Sequence, residues 1–70
     1  MQQRIRDLRE DLDMTQTQLA KRLHVSQQCY SNYEKGYTNI PFHILIALAK
    51  FHHTSVDYLL GLTQQREPYP

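Results

Sequence analysis

Two neighbouring glutamines, Gln27 and Gln28, follow Ser26 at the start of a stretch that ends at Gly36 and reads SQQCYSNYEKG. An amide side chain carries a hydrogen-bond donor and an acceptor together, so it can pair with a group that offers both. Charged side chains would solvate the start of a helix better, and apolar ones would bury it. The rest of the sequence therefore has to indicate what function two neutral amides serve at the start of this helix.

Four histidines raise the question of a metal site, and His52 and His53 are adjacent. Neighbouring residues of a helix point about 100° apart, whereas histidine pairs that bind metal on helices lie three or four positions apart. No acid or cysteine is spaced to complete such a site. We therefore expect no metal and no cofactor, and we interpret His24 and His53 as helix C-cap residues.

The chain's single cysteine, Cys29, lies near the N-terminus of a predicted helix, where the helix dipole favours the thiolate. We favour an inert, partly buried thiol over a redox sensor. The sequence contains no glycine-rich phosphate loop and no evident pair of catalytic carboxylates, and 70 residues leave little room for a catalytic pocket. We expect the protein not to be an enzyme.

Length and composition fit one small globular domain, with 40% hydrophobic and 21% charged residues. The net charge is only +1, which by itself argues weakly for nucleic-acid binding. The basic residues lie in separate segments, so a basic face would have to be assembled by folding. The charged start MQQRIRDLRED has no apolar signal segment, and no run is long enough to span a bilayer, so we expect a cytoplasmic protein without membrane contact.

Helix signals recur along the chain, and no segment shows the alternation of a strand. Thr15 and Gln18 form a capping-box pair, Ser26 is a good N-cap, and Gly36 suits a left-handed C-cap. Pro41 fits the first turn of a helix, because its missing N–H would be unpaired there. The sequence thus predicts an all-α fold of five short helices at about residues 2–12, 16–23, 27–35, 41–52 and 55–60.

Apolar residues mark the inner faces of these helices. Ile5, Leu8 and Leu12 lie on one face of the first helix. The fourth, which contains FHILIALAKF, is almost continuously apolar and is predicted to be the most buried. We expect a folded domain over residues 1–62, followed by a polar tail over 63–70.

A very short connection joins the predicted second and third helices, as in a helix-turn-helix, where the chain turns by roughly 90–120°. This geometry needs a small residue where the helices cross, which Ala20 supplies. It also needs a residue that tolerates positive φ, for which His24 is acceptable though unusual. Leu19, Val25 and Tyr30 would fill the angle between the two helices.

The stretch MTQTQLAKRLHVSQQCYSNYEKG resembles the helix-turn-helix of phage repressor and Cro-like regulators, the Xre family. IRDLRE resembles that family's first helix, and IALAKFHHTSVDYLLG resembles its fourth and fifth, so the resemblance covers about residues 3–62. It implies a compact five-helix, lambda-repressor-like domain whose third helix enters the major groove of DNA. Tyr33 and Tyr30 then belong to the core.

The resemblance also implies roles for individual residues. Gln27, Gln28 and Asn32 are predicted base readers, and Ser31 is a weaker one. Arg9 is expected to pair with Glu34, tying the first helix to the third, and also to reach a phosphate. The complete set of predicted phosphate-binding residues is Arg9, Gln16, Ser26, Lys35, Tyr37, Thr38 and Asn39.

Two functions remain open at this point. The first is a sequence-specific transcriptional regulator, expected to be a repressor, that binds palindromic double-stranded DNA as a homodimer through the fifth helix and the tail. The second is a protein-interaction module on the same scaffold, such as an antitoxin-like domain, which the low net charge favours slightly. Salt separates them, because DNA binding weakens steeply with ionic strength.

Overall fold

The computed structural model describes residues 2–67 and contains five helices there and no strand. The helices are α1 (Gln2–Asp11), α2 (Gln16–Leu23), α3 (Gln27–Lys35), α4 (Phe42–Phe51) and α5 (Val56–Leu60). This confirms the predicted all-α class, and every helix ends within one residue of its predicted bound. Met1 and residues 68–70 of the predicted tail lie outside the described residues.

Side-chain caps decide where α2 and α3 begin. Thr15 and Gln18 form the predicted capping box, with the Gln18 N–H donating to the Thr15 hydroxyl and the Thr15 N–H donating to the Gln18 side chain. The Ser26 hydroxyl accepts from the N–H of Cys29 at 3.0 Å. Pro41 differs from its prediction, because it is the N-cap of α4 and not part of the first turn.

Left-handed residues end three of the helices. His24 is the C-cap of α2 with φ 59°, as predicted, and Gly36 ends α3 with φ 78°. Gly61 does the same for α5. At the end of α4 the prediction was wrong by one position: His52 is the C-cap with φ −89°, and His53 follows it with the positive φ of 53°.

The core gathers side chains from all five helices, and Tyr30 of α3 lies at its centre. Tyr30 packs edge-on against Tyr33, with ring centroids 6.4 Å apart and an interplanar angle of 85°. This confirms the predicted core role of both tyrosines. The other large side chains that are fully buried are Ile5, Leu8, Leu19, Leu48 and Leu59.

One of the two apolar predictions was wrong, and the other was confirmed. Leu12 is 49% exposed, because α1 ends at Asp11 and the chain then turns at Asp13 with φ 54°. The fourth helix has four buried residues, more than any other of the five helices, as predicted. It nevertheless buries only one face, since Phe42 is 70% exposed and Ile46 lies on the same outer side. A continuous apolar run therefore did not mean a helix that is covered all round.

The chain after α5 folds back against the body of the domain. Arg4 of α1 donates to the carbonyl oxygens of Tyr58 at 2.9 Å and Thr63 at 2.7 Å. Arg66 pairs with Asp11 at 3.0 Å, and its carbonyl oxygen accepts from the Thr54 hydroxyl. No helix within residues 2–67 is long and apolar enough to cross a membrane.

Candidate nucleic-acid interface

Helices α2 and α3 form a helix-turn-helix around a small apolar centre. Leu19 and Ala20 are buried on α2, and half-buried Val25 packs against them from the turn. The Val25 N–H donates to the Ala20 carbonyl oxygen at 3.1 Å, and the His24 N–H donates to Lys21 at 3.2 Å. These bonds hold the turn formed by residues 24–26, and the start of α3 that follows is exposed to solvent.

A nearly buried ion pair joins α1 to α3, as predicted. The Arg9 Nε lies 2.7 Å from one oxygen of Glu34, and its Nη2 lies 3.1 Å from the other. The Arg9 side chain is 13% exposed and that of Glu34 is 4% exposed. Arg9 also donates to the Met14 carbonyl oxygen at 2.8 Å. This bidentate geometry fixes the orientation of α3 relative to α1.

The ion pair changes the acidity of the groups around it. Burial alone would raise the pKa of Glu34, but the hydrogen bonds from Arg9 and Gln16 and the Arg9 charge together lower it below its usual value. The Glu34 hydrogen bond raises the pKa of Arg9. Burial, reinforced by the nearby Glu34 carboxylate, raises the pKa of Tyr30 far above its usual value. At neutral pH the site therefore holds an ionised carboxylate beside a neutral phenol.

A chain of amides runs from this ion pair to the exposed end of α3. The Gln16 Nε2 donates to Glu34 at 3.0 Å, and the Gln27 Nε2 donates to the Gln16 Oε1 at 3.2 Å. Gln28 and Asn32, one turn apart, form a second link in which the Gln28 Nε2 donates to Asn32 at 3.0 Å. Gln27 and Gln28 are exposed, and Asn32 is half-buried. Three of the four predicted base readers thus lie close together on α3, with Gln27 and Gln28 at its start and Asn32 one turn after Gln28, and their role in reading bases stays a prediction.

Ser31 does not belong with them. It is only 5% exposed, because the helical repeat places it beside Tyr30 and three residues before Glu34, on the inner side of α3. The prediction that Ser31 reads bases is therefore wrong for this arrangement of the helix.

Most of the predicted phosphate-binding residues surround α3. Ser26 is exposed at its N-terminus, and Gln16 at the start of α2 is half-buried. Lys35, the last residue of α3, is exposed, and the loop after the helix exposes Tyr37, Thr38 and Asn39 before buried Ile40 returns the chain to the core. The phosphate roles of these residues stay predictions, as does that of Arg9, whose guanidinium is largely occupied by Glu34 and Met14.

Two features of this region were missed from the sequence. The hydrogen bond between Gln16 and Gln27 joins residues eleven positions apart in the sequence. The sequence contained one indication of this contact, because both residues were assigned to the same DNA interface. The Cys29 sulfur lies 3.3 Å from the Tyr33 hydroxyl oxygen, and the hydrogen bond between them, together with burial, raises the pKa of Tyr33 to about 12. Across residues 2–67 there is no group of three or more side chains that could hold a metal ion.

The fold and the exposed start of α3 define a helix-turn-helix domain, and comparison with known proteins agrees. Residues 5–59 match the protein family described as Helix-turn-helix. The chain belongs to this family, which confirms the resemblance to the Xre-like regulators.

Two curated relatives come from Bacillus subtilis (strain 168). The chain is 38% identical over 66 residues to the uncharacterized HTH-type transcriptional regulator YobD. The aligned residues make up 94% of this chain and 59% of YobD. It is 33% identical over 58 residues to the HTH-type transcriptional regulator ImmR, covering 83% of this chain and 46% of ImmR. The chain thus spans about half the length of these relatives. No solved structure matched.

Proposed function

We propose that this protein is a transcriptional regulator that binds double-stranded DNA in a sequence-specific manner and reads the major groove with α3. The observation that carries the proposal is the exposed amide pair, Gln27 and Gln28, at the start of a helix held in place from three sides. Ser26 caps that helix, Tyr30 anchors it in the core, and Glu34 ties it to α1. A rigid helix is what base reading requires, because misplaced side chains lose their hydrogen bonds.

The side chains at this end suit base edges and phosphates. A glutamine or asparagine amide can pair bidentately with adenine N6 and N7 in the major groove. The free N–H groups at the start of α3 favour an anion, and the neutral or basic side chains of Gln16, Lys35 and Asn39 would bind phosphate oxygens. Bases would be read by Gln27, Gln28 and Asn32, and the backbone would be held by residues around them.

A symmetric dimer on a palindromic operator is part of the proposal. A few base-reading side chains contribute about 1–3 kcal/mol of discrimination each, so one monomer selects weakly. Two copies would place their α3 helices in half-sites about one helical turn apart. Leu60 is partly exposed and Leu62 strongly exposed at the end of α5, where an interface through α5 and the following residues would form. By occupying such an operator the protein would act as a repressor.

The remaining parts of the proposal concern where and how it acts. We assign DNA binding to residues 1–62 and treat 63–70 as the tail. The protein would work in the cytoplasm as a binding protein, without enzymatic activity or a cofactor. The two relatives, named as transcriptional regulators, support this assignment.

Selection of bound sequences from random duplex DNA tests the proposal. We expect an enriched palindrome with a fixed spacing between its half-sites. Affinity for that duplex should fall steeply as salt rises, because phosphate contacts release counterions. Enrichment of no sequence, together with binding that is insensitive to salt, would rule out this function.

A protein-interaction module is the second candidate. It is favoured by the net charge of only +1 and by exposed apolar side chains away from α3, such as Phe42 and Leu62. Under this alternative the random-duplex selection would return no preferred sequence, so the same experiment separates the two.

A further inference from the structure

We propose that the cavity between the end of α1 and the outer side of α2 is a docking site for a partner protein, which it binds through an acidic segment that carries an apolar side chain. The inference concerns a different surface from α3 and does not depend on DNA binding. The cavity has a volume of about 460 Å³ and is lined by Leu12, Asp13, Met14, Gln18, Lys21 and Arg22.

The apolar part of the cavity comes from the turn that follows α1. Leu12 is 49% exposed there, although its spacing from Ile5 and Leu8 continues the apolar face of the helix. Met14 lies in the same turn, is half-buried and packs against the core. An apolar group of a partner that covers Leu12 would remove this side chain from water, which favours binding.

Two cations without an acidic partner form the other wall. The three salt bridges within residues 2–67 use other basic residues, so Lys21 and Arg22 are both available to an incoming carboxylate. The guanidinium of Arg22 lies over the Phe51 ring, 5.9 Å from its centroid, and this contact orients it. An arginine in a fixed orientation can bind both oxygens of a carboxylate.

The walls of the cavity are held in place by the rest of the domain. The Met14 carbonyl oxygen accepts from Arg9 at 2.8 Å. Gln18 belongs to the capping box with Thr15, where its Oε1 is bound at 2.8 Å and its amide nitrogen is left as a donor. A preformed site loses little conformational entropy when a partner binds.

The composition of the cavity fits an acidic protein segment better than a small molecule. Pockets for small ligands enclose most of the ligand surface, whereas five of the six lining residues are exposed here and leave the cavity open on one side. Carboxylates of the segment would pair with Lys21 and Arg22. Its apolar side chain would cover Leu12 and Met14, while a backbone N–H could donate to Asp13. A basic segment would meet two cations and one acid, and would be repelled.

The site lies on the other side of α2 from the residue that contacts α3. Gln16 bonds to Glu34 and Gln27. At about 100° per residue, Gln18 and Arg22 lie about 200° and 240° round the helix from Gln16. A partner in the cavity would therefore leave the start of α3 uncovered, and the partner and DNA would be able to bind together.

The test titrates the isotope-labelled protein with a short synthetic peptide in which adjacent leucines are flanked by glutamates. We expect saturable changes in the NMR signals of the cavity residues, with Met14, Gln18 and Arg22 among the most affected. One matched peptide has glutamine in place of each glutamate, and another has serine in place of each leucine. Each should bind about threefold or more weakly, because one of the two kinds of contact is lost.

Variants of the protein test the same contacts from the other side. Lys21→Glu should weaken binding of the glutamate peptide about fivefold or more, because an attractive charge becomes a repulsive one. Lys50→Glu is the matched control, since both lysines are exposed and lie in the last turn of their helix. Leu12→Asn should weaken binding about threefold or more. Thermal unfolding verifies that each variant folds.

Equal losses for Lys21→Glu and Lys50→Glu would show a general attraction between charges and would overturn the docking site. The absence of saturable changes at the cavity residues would overturn it as well. Affinity for a selected DNA duplex should stay within about twofold when the peptide is saturating, because the two sites do not overlap. A protein that binds the peptide at the cavity but selects no duplex would overturn the proposed function and leave this inference standing.

Discussion

Arg9 and Arg6 lie on the same helix and each pairs with a glutamate, but only one of the pairs is buried. The Arg9–Glu34 pair is almost covered, whereas the side chains of Arg6 and Glu10 are 58% and 51% exposed. Water solvates the exposed charges whether or not they are paired. At the scale of single residues, burial therefore decides how much an ion pair matters.

Replacing Arg9 by methionine should destabilise the protein strongly. The variant leaves the Glu34 carboxylate in a covered site without its charged partner, which costs about 3–5 kcal/mol. Arg6→Met is the matched control, and its loss should be within about 1 kcal/mol. Urea unfolding at neutral pH measures both, and similar losses for the two variants would contradict the structural role of the buried pair.

His52 should make stability depend on pH. It is 8% exposed, and burial, followed by the charge of Arg66, lowers its pKa from 6.5 to about 4. The unfolded chain takes up this proton at higher pH than the folded one does. Stability should therefore be complete above pH 6.5 and fall as the pH decreases towards 4, with this residue contributing a loss of about 2–3 kcal/mol.

The measurement is the free energy of unfolding between pH 7 and pH 5, above the range where the carboxylates titrate. His52→Gln should flatten the dependence on pH in that range. His53→Gln removes an exposed imidazole from the next position and serves as the control. An unchanged slope in His52→Gln would show that the buried imidazole is not responsible.

At the scale of elements, helix bounds were predicted correctly where they depend on contacts between residues close together in the sequence. The bounds of α2 and α3 were predicted correctly because their caps, Thr15 and Ser26, act within three residues. The burial of Leu12 was predicted wrongly, because α1 ends before a left-handed turn at Asp13. The residue at the turn is not a glycine, so nothing in the sequence indicated it. Periodicity alone continued the helix one residue too far.

The candidate site was predicted in outline for a different reason. The resemblance supplied the positions of Gln27, Gln28 and the Arg9–Glu34 pair. It did not supply the bond from Gln16 to Gln27, which depends on the angle between α2 and α3. The prediction for Ser31 failed because it rested on the polar character of the residue alone. In α3 the Ser31 side chain lies on the buried side of the helix with Tyr30 and Tyr33.

Gly36 and Gly61 offer a matched pair of tests at helix ends. Both have positive φ, of 78° and 81°, so an alanine at either position pays the cost of the left-handed conformation, about 1–2 kcal/mol. At Gly36 an added Cβ would also meet the Gln2 side-chain nitrogen at 2.6 Å, while at Gly61 it meets nothing within 4 Å. Because the end of Gln2 can swing away, thermal unfolding should show similar losses for the two variants. A much larger loss for Gly36→Ala would mean that Gln2 is held in place.

For the whole molecule, the segment after α5 was the part least accessible to prediction. Arg4 and Asp11 hold this segment through contacts with Thr63 and Arg66, which lie 59 and 55 positions away along the chain, and the segment has no regular structure of its own. From its composition, the segment over residues 63–70 was predicted to be a polar tail. The structure shows that residues 63–66 are bound to the domain, while Leu60 at the end of α5 and Leu62 just after it expose their apolar side chains.

Changing these two leucines tests the proposed dimer. Leu60→Asn combined with Leu62→Asn should weaken binding to a duplex with two half-sites about tenfold or more, because the energy of association between copies is lost. Binding to a single half-site should be unchanged. Leu12→Asn, at another exposed leucine, provides the control. Retained affinity for the double site would place the interface elsewhere.

The central claim is that α3 reads DNA through its exposed amides. The most direct test is the affinity of Gln27→Ala combined with Gln28→Ala for the selected duplex, measured beside an unrelated duplex at the same salt concentration. Gln64→Ala with Gln65→Ala removes two other exposed amides and is the control. We predict that the α3 variant loses about thirtyfold or more in affinity for the selected duplex and keeps its weak binding to the unrelated one. Undiminished preference for the selected duplex would contradict the claim.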